Sequence, residues 1–255
     1  MKTRLAKFIA NNGVASRRDA EKLITDGKVS VNGTVVLTPV FFVDENDKVE
    51  INGKIITTTN HGNEPRIIAF HKPINCITSK SDPLGRKTIY DFLPKKFKNF
   101  KYVGRLDYKT TGLLLLTNDG ALARKMTLPE TGLVRTYIAK LRPDITIAHN
   151  AGALKKLTSQ INSDDSVFDP LRNGLTIKSE PRTPNPEIKY APMEIDLLSI
   201  YPIMVRIKLT EGKKNEIRIA MEYIGLPVSK LHRESYGEYA LGELKPGEWE
   251  IVDSE

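Results

Sequence analysis

The chain has 255 residues, 40% of them hydrophobic, and carries 39 Lys plus Arg against 31 Asp plus Glu, a formal charge of +8. That length holds one large domain or two smaller ones, and the positive excess points to a polyanionic partner. The single cysteine, Cys76, excludes an internal disulfide and argues against a cysteine-based zinc site. MKTRLAKFIANNG at the start lacks the apolar run of a signal peptide, and no apolar stretch is long enough to span a bilayer, so a soluble cytoplasmic protein is expected.

Leu5, Phe8 and Ile9 recur at helical spacing until Asn11-Asn12-Gly13 stops them. Ser16 is placed to cap a second helix, with Asp19 three positions on in a loose capping box and Ala20, Leu23 and Ile24 as the apolar stripe. Residues 29–31 read as a strand, Asn32-Gly33 as a tight hairpin turn, and 40–43, 48–51 and 54–56 as further strands. Lys2, Arg4, Lys7, Arg17, Arg18, Lys22 and Lys28 crowd the first part; Asp44, Glu45, Asp47 and Glu50 follow. The plain reading is two solvated helix faces. The functional reading has Lys7, Arg17, Arg18 and Lys22 meeting phosphates, Arg bridging two oxygens and Lys acting as a point charge. This segment resembles the S4 type of RNA-binding module, on LAKFIA at 5–10, GVASRRDAE at 13–21, GKV at 27–29 and VNG at 31–33. The resemblance implies RNA binding, not chemistry.

Residues 57–65 are polar and breaker-rich, the composition of a linker between a module at 1–56 and a second domain at 66–255. A strand at 66–70 closes on His71-Lys72-Pro73, a loop covers 81–85, and 88–93 forms a short helix ending at Pro94. Lys95, Lys96, Lys98 and Lys101 interleave with Phe97, Phe100 and Tyr102, a mix that serves nucleic acid or, equally, a solvated loop with core anchors. Four leucines inside GRLDYKTTGLLLLTNDG, residues 104–120, read as a buried strand. Beyond it come a strand at 134–141, helical character at 144–157, a turn at 169–174, a strand at 175–178 and a proline-rich loop at 180–187. Strands at 193–197 and 204–209, a connector at 211–215, a helix at 217–224 and strands at 228–231, 239–244 and 249–252 finish the chain. Many strands with few helices argue for an α+β fold. No GxGxxG or GxxxxGK[ST] pattern occurs, so neither a dinucleotide nor ATP is indicated.

Asp107 is a carboxylate among cations, flanked by Arg105, Tyr108 and Lys109 and just upstream of the leucine strand that holds its loop still. Such a group suits chemistry on an anionic substrate. Tyr137 and Arg218 also border strongly patterned elements. From local sequence alone Asp107 is as well a turn residue, Tyr137 a packed sheet residue and Arg218 part of a solvated helix face.

The second domain resembles the ribosomal RNA pseudouridine synthase family that carries an N-terminal S4-like domain. The matching pieces are His71-Lys72-Pro73, the run 104–120, Arg135-Thr136-Tyr137, LTEG at 209–212 with NEIR at 215–218, and Tyr236-Gly237 leading to Leu241-Gly242. The tail VSKLHR at 228–233 is most similar to the large-subunit branch. The resemblance implies a mixed, mostly antiparallel sheet with a central cleft, isomerisation of a uridine in RNA, and no cofactor or metal. It implies that Asp107 is the catalytic carboxylate, that Tyr137 packs against the flipped base, and that Arg218 holds Asp107 through a two-pronged pair. Arg105 is expected at a phosphate or a displaced strand, with Lys72, Lys213, Lys214 and Lys230 as further RNA-binding cations. Ribosomal RNA or a pre-ribosomal particle is the implied partner, and a monomer is expected. Two positions depart from the family pattern: Asn75 where a glycine is usual, and Ile219 where a second basic residue is usual. A non-catalytic RNA-binding assembly factor is the main rival reading. A metal-dependent phosphodiester hydrolase is disfavoured by the absence of a metal-spaced cluster among four histidines.

Overall fold

The computed structural model describes residues 2–44, 46–56, 66–142, 159, 161, 165–178 and 187–252. The linker expected at 57–65, the helical stretch at 144–157 and most of the proline-rich loop, 180–186, lie outside the described residues. The chain divides into two compact units, Met1–Glu64 and Pro65–Glu255.

In the first unit α1 (Leu5–Asn11) and α2 (Arg17–Thr25) bury Leu5, Ala6, Ile9, Ala20 and Ile24 in one cluster with Val29, Val31, Val43 and Val49. Ser16 Oγ caps α2 by accepting from Asp19 N at 3.2 Å, and donates to the Asp19 carboxylate at 2.6 Å. Strands β2 (Val29–Val31) and β3 (Thr34–Val35) meet at Asn32-Gly33, where both residues have positive φ, 51° and 83°, as a type I′ turn requires. With β5 (Val49–Ile51) and β6 (Lys54–Ile56) they form an antiparallel sheet in the order β3-β2-β5-β6. The strand expected at 40–43 shortens to β4 (Phe42–Val43), paired with an unanticipated β1 (Thr3–Arg4). Two residues are too few for a period to show.

The second unit is built on one mixed sheet. Its strands are β7 (Ile67–Lys72), β8 (Lys101–Tyr102), β9 (Thr110–Thr117), β10 (Arg135–Leu141), β13 (Glu194–Ile200), β14 (Ile203–Leu209), β15 (Val228–Tyr236), β16 (Tyr239–Ala240) and β17 (Trp249–Val252). The main path runs β13-β14-β10-β15-β9-β7-β17. The β9–β15 pair is parallel and every other described pair is antiparallel. A separate hairpin joins β11 (Leu175–Lys178) to β12 (Glu187–Tyr190).

The leucine run explains the architecture. Leu114 and Leu116 enter one core, beside Phe70, Tyr137 and Ile207, while Leu113 and Leu115 enter another with Val103, Met126 and Tyr236. A strand buried on both faces needs continuous rather than alternating apolar residues. The described residues of this unit also form α3 (Gly120–Thr127), α4 (Asp169–Arg172) and α5 (Glu216–Tyr223). Of these, α3 is unanticipated. Its N-cap is Asp119, whose carboxylate accepts from Ala121 N at 2.7 Å. The turn at 169–174 tightens into the single helical turn of α4. The strand expected at 228–231 continues to Tyr236, its apolar alternation interrupted by Arg233, while that at 239–244 stops after two residues.

Candidate active site

Asp107 lies between β8 and β9, immediately before the turn into Thr110. Each backbone carbonyl from Leu106 to Thr110 accepts a hydrogen bond from a different residue. The donors are Thr78 Oγ1 to Leu106 at 2.8 Å, Thr110 N to Asp107 at 3.0 Å, and Asn75 N to Tyr108 at 2.9 Å. Arg218 Nη2 donates to Lys109 O at 3.4 Å and Lys72 Nζ to Thr110 O at 2.9 Å. A loop with its carbonyls so satisfied has little freedom, and Asp107 inherits that rigidity. Asn75 takes a left-handed φ of 59°, so the turn that a glycine usually makes is kept, and its side chain accepts from Lys109 Nζ at 3.1 Å.

Two of these donors sit otherwise than the sequence leads one to expect. Lys72 is fully buried and its ammonium also donates to Pro73 O at 3.0 Å, so it cannot reach a phosphate. The reason is β7 itself, buried at every position. Burial draws the Lys72 ammonium down to about 8, with the Asp107 charge acting in the opposite direction. Arg218 does not form the expected two-pronged pair with Asp107. Its guanidinium spans the carbonyls of Val228, at 3.1 Å, and Lys109. Burial lowers its pKa while the Asp107 charge works in the opposite direction, so the two groups interact through space without a direct ion pair. Among the described residues no ion pair engages the Asp107 carboxylate.

Asp107, Tyr137 and Arg218 line one concavity of about 410 Å³, together with Arg105, Lys213 and Lys214. Tyr137 is buried at the middle of β10. Arg105 and Lys214 are exposed on the wall. Lys213 is exposed too, but its ammonium donates to Glu211 Oε2 and to Lys189 O, both at 2.6 Å. Lys230, on β15, is exposed and does not line this concavity. Lys7, Arg17, Arg18 and Lys22 belong to the first unit, reach solvent there and enter no ion pair among the described residues.

Three lining residues escape the sequence reading. Arg135, buried on β10, donates from Nη1 to the carbonyls of Thr210 and Glu211 and from Nη2 to Tyr236 Oη at 2.9 Å. Arg233, 2% exposed, donates from Nε to Leu113 O at 2.7 Å and from Nη1 to Tyr137 Oη at 3.4 Å. Glu216, also buried, is pushed up to about 7, chiefly by burial and further by the Glu211 carboxylate. The signal for the arginines is phase: Arg135 alternates with Tyr137, Ala139 and Leu141, and Arg233 follows Leu231 by two, each on an inward position. Among the described residues no group of three His, Cys, Asp or Glu is arranged to hold a metal ion, and no helix is long and apolar enough to cross a membrane.

Comparison with known sequences matches residues 66–223 to the RNA pseudouridylate synthase family and residues 3–49 to the S4 domain. The chain is 37% identical over 255 residues to an uncharacterised RNA pseudouridine synthase of Rickettsia conorii, covering 98% of this chain and 96% of that protein. It is 35% identical over 249 residues to the ribosomal large subunit pseudouridine synthase B of Bacillus subtilis, covering 96% and 90%. A crystal structure of a pseudouridylate synthase superposes with a TM-score of 0.63 at 25% identity, covering 98% of this chain and 96% of that one.

Proposed function

The chain belongs to the RNA pseudouridylate synthase family, and from that premise we propose that it isomerises a specific uridine of large-subunit ribosomal RNA, with Asp107 as the catalytic carboxylate. The concavity at Asp107 serves as the active-site cleft, and the N-terminal unit, at 1–56, as the RNA-gripping module. One observation carries this reading: the continuous bracing of the Leu106–Thr110 carbonyls, which fixes a carboxylate in the cleft that Tyr137 and Arg218 also line.

The reaction breaks the N1–C1′ bond of uridine and makes a C5–C1′ bond; the C5 proton is released and N1 acquires one, so atoms balance without a cofactor. Asp107 is suited to the sugar end, where positive charge develops at C1′ as the base departs. A braced backbone means the carboxylate need not reorganise when that charge appears. The uridine leaves its stack to enter the cleft, where the Tyr137 ring packs against the everted base. Arg105 and Lys214, exposed on the wall, take the flanking phosphates. Arg218 contributes its charge across the cleft and its donors to the loop, rather than a fork on Asp107.

The test incubates the protein with unmodified ribosomal RNA in chelator without cofactor, and maps isomerised uridine by chemical labelling and primer extension. Product from the wild type, lost in Asp107→Asn while RNA binding persists, is the expected result. RNA binding without product on any ribosomal RNA of the same cell would instead support the assembly-factor reading.

A further inference from the structure

Arg233 has a buried guanidinium whose hydrogen bonding is incomplete. Nε is fixed by Leu113 O at 2.7 Å, Nη1 reaches Tyr137 Oη at 3.4 Å, and Nη2 has no partner among the described residues. The guanidinium carbon stands 5.0 Å from the Tyr236 ring centroid and 5.9 Å from that of Tyr137. Its backbone is equally constrained. Gly112 of β9 lies so close that a Cβ there would be 2.3 Å from Arg233 O, so the strand pair holds Arg233 against the leucine strand.

Stability does not account for this arrangement. A buried donor left unpaired destabilises a fold, and an apolar side chain of similar volume would fill the space without that cost. Hydrogen-bond polarity supplies the alternative. An arginine only donates, so the Tyr137 oxygen must be the acceptor of the Nη1 bond. Its own proton then has to be donated elsewhere. Among the described residues the phenol has no acceptor for that proton, and Tyr137 borders the concavity that contains Asp107.

We infer that Arg233 is a positioning residue for Tyr137: by occupying the phenol's acceptor side it turns the hydroxyl proton into the cleft, so that Tyr137 meets the everted pyrimidine as a hydrogen-bond donor. The inference rests on the proposed function for what enters the cleft, but the Arg233–Tyr137 coupling itself does not. Arg233 needs no contact with the base for this role. Its effect on turnover passes through one oxygen atom, which makes it separable from a general packing role.

Arg233→Met and Arg233→Lys, each alone and combined with Tyr137→Phe, form two double-mutant cycles read by single-turnover product formation on ribosomal RNA. The expected result is that Arg233→Met melts within a few degrees of the wild type and binds RNA normally. It should slow the chemical step roughly tenfold or more with little change in KM, and cost less than about threefold in the Tyr137→Phe background. Arg233→Lys, which keeps charge without the fork, should fall between and serves the same cycle if the Met variant does not fold. An independent arm labels tyrosine with carbon-13 at Cζ, assigns the Tyr137 signal by its loss in Tyr137→Phe, and expects it to move in Arg233→Met. Equal losses in both backgrounds, a loss confined to KM, or an unmoved Tyr137 signal would overturn the inference. Full product from Asp107→Asn would count against the proposed site, and the carbon-13 arm would still decide the coupling.

Discussion

Replacing Gly112 by alanine tests whether the parallel seam between β9 and β15 builds the site. Gly112 has φ of +105°, a region closed to side chains, and an added Cβ would stand 2.3 Å from Arg233 O, 2.5 Å from its N and 2.9 Å from its C. All three are backbone atoms, so no rotamer change relieves the collision. Backbone strain at such a φ costs about 1–3 kcal/mol and over-packing a further ~1–3 kcal/mol, a total near 4 kcal/mol. In a unit of this size that lowers the melting temperature by roughly 8–16 °C. Gly132 is the control. Its φ is +60° and an added Cβ meets nothing within 4 Å, so Gly132→Ala carries only the dihedral cost, about 1–2 kcal/mol. Both variants would be followed by calorimetry, with turnover measured well below the transition. Gly112→Ala should lose far more stability than the control and should also lose turnover while still folded, because Arg233 must shift. Equal melting shifts for the two, or a fully active Gly112→Ala, would refute the reasoning.

Lys72 predicts a stability change on the alkaline side. Folded Lys72 releases its proton near 8 and the unfolded chain near 10.5, so between those values the unfolded state holds more protons and rising pH favours folding. The wild type should gain about 3 kcal/mol over that window relative to Lys72→Met, and a flat difference in denaturant melts would contradict it. Glu216 acts in the opposite sense: with its folded value raised to about 7 from 4.5, its contribution is complete below 4.5 and is lost as pH climbs through 7. Glu216→Gln should therefore lack that decline, read as a wild-type-minus-variant difference across the same range. Changing Lys7, Arg17, Arg18 and Lys22 together to Gln should weaken RNA binding, with melting unchanged. It should also flatten the dependence of log K on log salt by about 0.7–0.9 for each phosphate no longer engaged. An unaltered slope would remove these residues from the RNA interface.

Elements whose signal is local are legible in the sequence. The Ser16 cap, the Asn32-Gly33 turn and the leucine strand each follow from a few adjacent residues with a defined physical preference. The elements that are not legible depend on distant partners. β1 exists because Phe42–Val43 pairs with it, and β15 runs on to Tyr236 because β10 pairs with its whole length. Arg233 is hidden for the same reason. A charged residue in a strand reads as a break in the apolar alternation, so its inward phase two residues after Leu231 carries little weight until β9 and β10 are seen packed on either side of it.

The basic residues illustrate why charge alone does not define the site. In a connector without ladder partners, carbonyls still require donors, and arginine and lysine can supply them across long distances in the chain. Lys72 and Arg218 meet that need around Asp107, and Arg135 meets it for Thr210 and Glu211. Each is thereby committed to the protein's own backbone, whereas Arg105 and Lys214 remain exposed at the wall. The +8 total thus combines cations that hold backbone carbonyls around the concavity with cations that face outward. The first group braces the backbone around the concavity, and the second is the group able to exchange counterions for phosphates. These are different physical jobs, and a salt titration separates them because only the outward group releases ions when RNA arrives.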